Sequence, residues 1–228
     1  MKAVILAAGK GTRLKGVVDK IPKPMIKYNG KPIIEHNVML CKKFGISEIF
    51  INTHHFSDVI TEFLGDGSKY GLRIEYSYEH ELLGTSGALN NFYPFIKGEP
   101  FFVLYGDNIS DFPLEKLKNA LEKTNTIGII GFHYREDVSH SGVAEFDKND
   151  RILKFFEKPK EGVTTSKWVN AGVYYLSPKI FDFIPKGFSD FAKDIFPHLL
   201  KENIPLFGVK EKVDLKAFDT PEMLQKNI

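Results

Sequence analysis

Hydrophobic residues in this chain fall into two kinds of pattern, continuous runs and helically spaced sets. The runs are short and bounded by glycine or polar residues, which is typical of strands buried on both faces. In the first part of the chain they predict strands at 4–6, 48–52, 72–77, 101–105 and 126–132. The spaced sets predict helices at 31–44, 58–64 and 113–123. Because strands and helices alternate, we predict an α/β fold with a mostly parallel sheet and right-handed crossovers.

The pattern changes in the second part of the chain. Two apolar runs, 143–146 and 152–156, are separated by the turn residues 147–150, which predicts an antiparallel excursion. The remaining predicted elements are strands at 168–176 and 205–209 and helices at 179–185 and 188–200. A last helix is predicted to begin at Pro221, with Thr220 as its N-terminal cap.

A glycine-rich segment ends the first predicted strand. Gly9 and Gly11 allow the backbone to approach an anion closely, and Arg13 and Lys23 add two cations, so the segment suggests a triphosphate site. A tight turn is the alternative, because a single glycine pair after a strand is weak evidence. The segment is not a dinucleotide-binding fingerprint, since Leu14 stands where the third glycine belongs, and it is not a P-loop.

Two later segments also carry candidate chemistry. Gly84 and Gly87 bracket two hydroxyl residues and form a possible slot for a flat nucleobase, with a plain loop and a capping serine as the alternative. Asp107 follows the predicted central strand 101–105, where a carboxylate would suit Mg²⁺. An Asp-Asn turn is the alternative interpretation of Asp107 and Asn108.

The segment Gly9-x-Gly11-Thr12-Arg13-Leu14, followed by Pro22-Lys23-Pro24, resembles the two-part signature of the sugar-1-phosphate nucleotidyltransferases. The resemblance extends over essentially the whole chain, from Met1 to about Met223. It implies one nucleotidyltransferase domain over residues 1–228, with a Rossmann-like, mixed but mostly parallel central sheet flanked by helices. The antiparallel excursion would cover the sugar. Within the family, the chain looks most like guanylyltransferases for mannose or heptose 1-phosphate, with N-acetylmuramate-1-phosphate uridylyltransferases close behind.

The resemblance also implies roles for individual residues. The nucleotide site would comprise Ala8, Gly9, Gly11, Thr12, Gly84 and Thr85, the last two facing the base. The sugar phosphate would be held by Gly142, Glu157, Lys158 and Asn170. The expected catalytic residues are Arg13, Lys23 and Lys158, and Asp107 would bind Mg²⁺.

The C-terminal segment departs from the family pattern Trp-x-Asp-x-Gly-Thr-Pro-Glu, whose aspartate is the second metal ligand. Here the chain reads Ala217-Phe218-Asp219-Thr220-Pro221-Glu222. Alignment on the aspartate makes Asp219 the ligand, whereas alignment on Thr-Pro-Glu puts Ala217 in that position. We expect Asp219, because losing the carboxylate would weaken the cation site, with Asp214 as a further alternative. The long β-helical extension of some relatives is not part of this sequence, so no acyltransferase function is implied.

Composition narrows the range of partners. The 31 basic and 29 acidic residues nearly balance to a net charge of +2, so no nucleic-acid partner is expected. No apolar stretch reaches the roughly 18 residues of a membrane helix, and the first apolar run is too short for a signal peptide. The single cysteine, Cys41, excludes an internal disulfide and fits a reducing cytoplasm. Its helical apolar surroundings favour a small buried side chain over a nucleophile.

We therefore expect transfer of a nucleoside monophosphate from a nucleoside triphosphate to a sugar 1-phosphate, with Mg²⁺ as cofactor and no general base. Uridylyl, thymidylyl and cytidylyl transfer are alternatives to guanylyl transfer. A non-catalytic regulatory homologue and a cytidylyltransferase for phosphocholine or inositol phosphate also remain open. Glu157 and Asn170 favour a polyhydroxylated acceptor over choline. The sequence does not determine the base, the sugar or the oligomeric state.

Overall fold

The computed structural model describes residues 1–11, 14 and 21–227. The chain divides into two compact units. The first comprises Met1–Leu82, Val103–Asp111 and Leu215–Ile228, and the second comprises Leu83–Phe102 and Phe112–Asp214. The single domain expected over residues 1–228 stays a prediction. The expected phosphate contacts Thr12 and Arg13 lie outside the described residues.

Strands and helices are numbered along the chain. The strands are β1 (Lys2–Leu6), β2 (Lys27–Tyr28), β3 (Lys31–Pro32), β4 (Glu48–Thr53), β5 (Arg73–Tyr78), β6 (Phe101–Tyr105), β7 (Asn108–Ile109), β8 (Gly128–Tyr134), β9 (Gly142–Phe146), β10 (Ile152–Glu157), β11 (Trp168–Leu176), β12 (Phe207–Glu211) and β13 (Lys216–Ala217). The α-helices are α1 (Ile33–Lys43), α2 (Ser57–Leu64), α3 (Gly84–Gly87), α4 (Tyr93–Ile96), α5 (Leu114–Thr124), α6 (Phe196–Lys201) and α7 (Pro221–Asn227).

Parallel strands form the centre of the first unit. Strand β4 pairs in parallel with β1 and with β5, so that Leu6, Asn52 and Ser77 lie side by side near their carboxyl ends. Strand β6 is the neighbour of β1 on its other side. The apolar residues of β4 are buried throughout, as expected for a strand covered on both faces. The parallel sheet predicted for this part of the chain is confirmed.

Helix α1 begins two residues later than the sequence pattern predicts. Lys31 and Pro32 pair with β2 as the short strand β3, and Pro32 takes the N-cap position of the helix. The apolar side of the helix is buried, including Cys41, whereas Lys42 and Lys43 are exposed in its last turn. Their positive charges interact favourably with the negative, C-terminal end of the helix dipole.

The second unit is mostly antiparallel. Strands β9 and β10 form a hairpin, and the Asp147 carboxylate stabilises its turn by accepting hydrogen bonds from the backbone N–H groups of Asn149 and Arg151. Strand β11 pairs antiparallel with β8, and β12 pairs in parallel with β8. The predicted antiparallel excursion is therefore confirmed, and the mixed α/β class with it.

Two predicted helices of the second unit are wrong in type or extent. Residues Pro178–Phe183 form a 3₁₀ helix, and the predicted helix 188–200 begins only at Phe191, as a π turn that leads into α6. The backbone around Ser189 is unavailable for helix formation, because its N–H donates to Leu83 and its carbonyl accepts from Ser86. A tertiary contact therefore overrides the local apolar spacing.

No helix in the described part of the chain is long and apolar enough to cross a membrane.

Candidate active site

After the last residue of strand β1, the next backbone N–H bonds to a side chain and not to the backbone of a neighbouring strand. The N–H of Ala7 donates to Oδ1 of Asn52 at 2.8 Å, and Nδ2 of Asn52 donates to Oε1 of Glu79 at 2.7 Å. Asn52 and Glu79 are both buried. This network fixes the point at which the chain leaves the sheet. Hydrophobic periodicity does not predict this network, although Asn52, a polar residue at the end of the apolar run of β4, is a visible signal.

The glycine loop that follows has different constraints at its two glycines. Gly11 has φ of 60°, and its carbonyl accepts a hydrogen bond from the Leu14 N–H at 2.8 Å, so a turn requires its conformation. Gly9 has no atom of the described residues within 4 Å of the position a Cβ would take. Ala8 beside it is buried. The backbone at Gly9 is thus open to a ligand, as a phosphate-binding loop requires.

Lys23, Asp107 and Asp219 meet in the first unit and are called the carboxylate–lysine cluster below. The Nζ of Lys23 lies 2.6 Å from Oδ2 of Asp107 and 2.5 Å from Oδ1 of Asp219. Lys23 is only 6% exposed, while the two carboxylates are about a third exposed, at 33% and 31%. One buried cation therefore holds two anions that remain open to solvent.

The local sequence around Lys23 fixes its backbone. Pro22 and Pro24 flank it, and residues Lys23–Met25 form a 3₁₀ turn closed by the hydrogen bond from the Met25 N–H to the Pro22 carbonyl. Each proline restricts φ and the conformation of the residue before it. The side chain of Lys23 therefore leaves a rigid segment, and its direction is set by the fold.

The C-terminal segment reaches the cluster through a strand pair and a hydrophobic anchor. Strand β13 pairs antiparallel with β7, which places Ala217 opposite Asn108, the residue after Asp107. Phe218 is fully buried in a small core with Leu14, Ile26 and Ile33. These two contacts place Asp219 beside Lys23. Which of Asp219, Ala217 and Asp214 takes the second metal-ligand position stays a prediction, in which we keep Asp219.

Opposing effects act on the pKa of Lys23. Burial lowers the pKa by disfavouring the charged form, but the charges and hydrogen bonds of Asp107 and Asp219 raise it, and the net shift is upward. The ammonium group is consequently charged at neutral pH. The cluster carries one positive and two negative charges, which leaves a net negative charge at its centre.

The two carboxylates of the cluster suit a divalent cation whose coordination shell is completed by oxygens of the substrate. Within the described ranges, no group of three or more His, Cys, Asp and Glu side chains is arranged to hold a metal. Mg²⁺ is, however, usually bound by only one or two carboxylates together with phosphate oxygens and water. Asp107 and Asp219 converge on one positive centre, now the Lys23 ammonium, and are chemically suited to that role.

In the second unit, residues 83–87 are held against residues 187–191, and this contact is called the Ser189 clamp below. The Ser189 carbonyl accepts from the N–H groups of Ser86 and Gly87, and the hydroxyls of Ser86 and Ser189 are 2.8 Å apart. Thr85 Oγ1 accepts from the Phe191 N–H at 2.9 Å. The predicted slot is thus a single helical turn, α3, and not an open loop. No sequence pattern indicated the role of Ser189.

Gly84 is a residue on which the Ser189 clamp depends. Its φ is 76°, and a Cβ at this position would clash with the Ser189 carbonyl. Glycine is therefore required both for the backbone conformation and for the close approach. Gly84 and Thr85 are half-buried, and a role for them in facing a nucleobase stays a prediction.

Gly142, Glu157 and Lys158 are neighbours in the hairpin of the second unit. Gly142 pairs directly with Glu157, and a Cβ on Gly142 would meet the Phe155 ring and the Glu157 carboxylate. Burial raises the pKa of Glu157, and the nearby charge of Lys158 opposes that shift. Lys158 is half exposed and has φ of 52°, an uncommon conformation for a residue other than glycine. Its ammonium lies 3.9 Å from Oε1 of Glu157 and is accessible to an anion from solvent.

Asn170 lies on β11 at a bulge. Its Oδ1 accepts from the Gly172 N–H and its Nδ2 donates to the Tyr174 hydroxyl, both at 2.9 Å. Both ends of the amide are thus used to shape the strand. Because Val169 pairs with Val143, Asn170 still lies next to Gly142 across the strand pair. Its role in substrate binding stays a prediction.

The family model described as nucleotidyl transferase matches residues 2–214. The chain belongs to this family. It is 36% identical to the D-glycero-alpha-D-manno-heptose 1-phosphate guanylyltransferase of Campylobacter jejuni, over 89% of this chain and 86% of that protein. It is 35% identical to the UTP–glucose-1-phosphate uridylyltransferase of Synechocystis, over 92% of this chain but only 58% of the relative.

Solved structures agree with this family. HddC from Yersinia pseudotuberculosis, solved in complex with GMP-PN, matches with a TM-score of 0.83 and 27% identity over 99% of this chain and 97% of that one. A Bacillus anthracis protein provisionally assigned as a glucose-1-phosphate thymidylyltransferase matches with a TM-score of 0.89 and 26% identity, over 100% of this chain and 93% of that one. The Rossmann-like nucleotidyltransferase fold expected from the sequence is therefore confirmed. The relatives differ in nucleotide and sugar.

Proposed function

We propose that the chain transfers a nucleoside monophosphate from a nucleoside triphosphate to a sugar 1-phosphate and releases pyrophosphate. The observation that carries this proposal is the carboxylate–lysine cluster beside the glycine loop of β1. It gathers a buried cation and a pair of convergent carboxylates at the carboxyl edge of a parallel sheet, where ligands of α/β proteins bind. Such a set suits a polyphosphate with its counter-ion.

The reaction joins two anions. An oxygen of the sugar phosphate attacks the α-phosphorus of the triphosphate, a new P–O bond forms, and the bond to the leaving pyrophosphate breaks. The second pKa of a phosphate monoester is about 6, so the nucleophile is already an anion at neutral pH and needs no general base. The obstacle is repulsion, which for two unit charges ~4 Å apart is about 4 kcal/mol at an effective dielectric of 20.

The residues of the chain counter this repulsion by supplying positive charge and by orienting the two substrates. In the proposal, Ala8, Gly9, Gly11, Thr12, Arg13 and Lys23 bind the triphosphate, Gly84 and Thr85 face the base, and Gly142, Glu157, Lys158 and Asn170 hold the sugar phosphate. Asp107 and Asp219 hold Mg²⁺, which when bound supplies positive charge to the phosphates. Catalysis is then positioning and electrostatic stabilisation, with Arg13, Lys23 and Lys158 as the catalytic residues.

For the substrate, we propose guanylyl transfer to mannose or heptose 1-phosphate. The support is the Campylobacter guanylyltransferase, which this chain spans over 86% of its length, and the match to HddC solved with GMP-PN. Uridylyl transfer is the second candidate, because the Synechocystis relative is equally similar in sequence. The cytoplasmic location stays a prediction.

A panel assay tests both levels of the proposal. Purified protein is mixed with Mg²⁺, each common nucleoside triphosphate and a set of sugar 1-phosphates, and pyrophosphate and nucleotide sugar are measured. Pyrophosphate release that requires the sugar phosphate supports nucleotidyl transfer, and the preferred pair identifies the substrates. If pyrophosphate is released only with choline phosphate or inositol phosphate, that compound is the acceptor and not a sugar 1-phosphate. No release from any pair would favour the non-catalytic homologue.

A further inference from the structure

The Lys23 ammonium occupies the point at which the two proposed metal ligands converge. Its Nζ lies 2.6 Å from Oδ2 of Asp107 and 2.5 Å from Oδ1 of Asp219, so one ammonium pairs with both carboxylates. The lysine is buried and the carboxylates are partly exposed, so the ammonium reaches them from the protein side. A divalent ion would have to use the same oxygens.

We infer that Lys23 is a placeholder cation: in the nucleotide-free protein its ammonium group occupies the carboxylate pair and keeps a divalent ion from binding there tightly. A metal ion held by the same two oxygens would lie only a few ångströms from the ammonium. Like charges at such a distance in a partly buried site repel strongly, so the two cations compete.

Movement of the Lys23 side chain would resolve this competition. The flanking prolines and the 3₁₀ turn fix the backbone, so the ammonium moves by rotation of its four-carbon stem. Phosphate groups entering beside the glycine loop offer the ammonium another anion. Metal and nucleotide therefore bind cooperatively, and by linkage each increases the affinity for the other to the same extent.

The nucleotide part of this inference rests on the proposed function, but the competition between cations does not. Metal binding is therefore measured without nucleotide or sugar, by electron paramagnetic resonance of free Mn²⁺ in titrations of the protein. We expect the neutral variants Lys23→Met and Lys23→Gln to bind Mn²⁺ at least about 10-fold more tightly than the wild type. Lys23→Gln keeps an amide donor for the carboxylates and serves if Lys23→Met does not fold.

Three controls separate charge from other effects. Lys27→Met removes an exposed lysine on β2 and should bind Mn²⁺ as the wild type does. Lys23→Arg keeps the positive charge and should bind Mn²⁺ as weakly as the wild type. Adding Asp219→Asn to Lys23→Gln should remove the gained affinity, which would assign that affinity to the cluster.

The outcomes separate this inference from the proposed function. Unchanged Mn²⁺ affinity in both neutral variants, or a gain that survives Asp219→Asn, would overturn the placeholder role even if the protein releases pyrophosphate. A gain that depends on Asp219 would support it even if no substrate pair reacts. As a second readout, Mg²⁺ should raise the melting temperature of Lys23→Gln more than that of the wild type.

Discussion

The carboxylate–lysine cluster of the first unit and the Ser189 clamp of the second are held together by different forces. The cluster joins charged side chains from three distant segments, and Lys23 is 84 residues from Asp107 and 196 from Asp219. The clamp joins two segments through backbone hydrogen bonds and a glycine contact. The first is therefore sensitive to loss of a charge, and the second to the addition of an atom.

This difference explains what each region is suited to do. A charged cluster changes its partners when a new ion arrives, because each of its members is able to pair with phosphate or metal. The backbone clamp has less freedom, because the N–H groups of Ser86, Gly87 and Ser189 are already bonded within it. We therefore expect ion-dependent behaviour from the first unit and a fixed, shape-reading surface from the second. The following predictions test that comparison.

The largest effect is expected from removing a charge of the cluster. Lys23→Ala or Asp107→Ala should lower turnover by roughly 100-fold or more, as expected for loss of one preorganised electrostatic group. Pyrophosphate release measures the loss, and circular dichroism checks that the fold is intact. Lys27→Ala is the matched control and should remain near wild type. Near-normal turnover of either cluster variant would remove that residue from the site.

The next effect is expected from the anchor that carries Asp219. Phe218 is fully buried, so Phe218→Ala should lower the free energy of unfolding by about 3–5 kcal/mol, as large-to-small core changes do. Urea denaturation measures it. Leu153→Ala removes a side chain that is 55% exposed and should cost well under ~1 kcal/mol. Equal losses in the two variants would mean that Phe218 is not an anchor.

A smaller loss is expected from adding one methyl group to the Ser189 clamp. Gly84→Ala must adopt a positive φ and approach the Ser189 carbonyl, and should lose about 2–4 kcal/mol of stability. Gly98→Ala is the control, because no described residue other than its chain neighbours has an atom within 4 Å of its Cβ position. Thermal unfolding of the two variants gives the comparison. A Gly84→Ala protein as stable as Gly98→Ala would show that the clamp accommodates the added methyl group at little cost in stability.

Acid sensitivity is expected from His133 on β8 in the second unit. Burial, helped by the charge of Arg135, lowers the pKa of His133 to about 4. Below pH ~6.5 the unfolded chain binds a proton that the folded chain does not, so stability is lost as pH falls towards 4. The loss is at most about 3 kcal/mol. His133→Gln should abolish this part of the pH dependence in urea titrations at pH 7 and pH 4.5. If the stability of His133→Gln falls between pH 7 and pH 4.5 as much as that of the wild type, another group causes the acid sensitivity.

No effect on activity is expected from thiol reagents. Cys41 is fully buried on α1, and burial raises the pKa of its thiol to about 12. The thiolate is the reactive form, so the native protein should not react with Ellman's reagent while the urea-unfolded protein reacts with one equivalent. Rapid labelling of the native protein would show that α1 opens readily.

Local pattern was sufficient for most of the fold. Continuous apolar runs identified β1, β4, β6 and β8, and the turn at residues 147–150 identified the β9–β10 hairpin. Thr220 caps α7 as predicted, since its Oγ1 accepts from the Met223 N–H. The pattern was misleading at residues 188–190, where apolar spacing favours a helix but the Ser189 clamp takes the backbone hydrogen bonds.

The candidate site could be predicted only in part from the sequence. Glycines after a strand and an aspartate at a strand end are local signals, and Gly11 and Asp107 were found in that way. The buried pair Asn52 and Glu79 and the clamp residue Ser189 were not, because each acts through a partner far away in sequence. Polar side chains of this kind have no periodicity that marks them.

The sequence by itself determined most of the longer strands and helices, the family and the residues that carry charge near the first loop. It left open whether Asp219, Ala217 or Asp214 stands at the second carboxylate position. Tertiary structure places Asp219 at Lys23, because β13 pairs with β7 and Phe218 is buried, while its role as a metal ligand stays a prediction. Local hydrophobic periodicity reports which side of an element is buried, but it does not report which distant segment that side will meet.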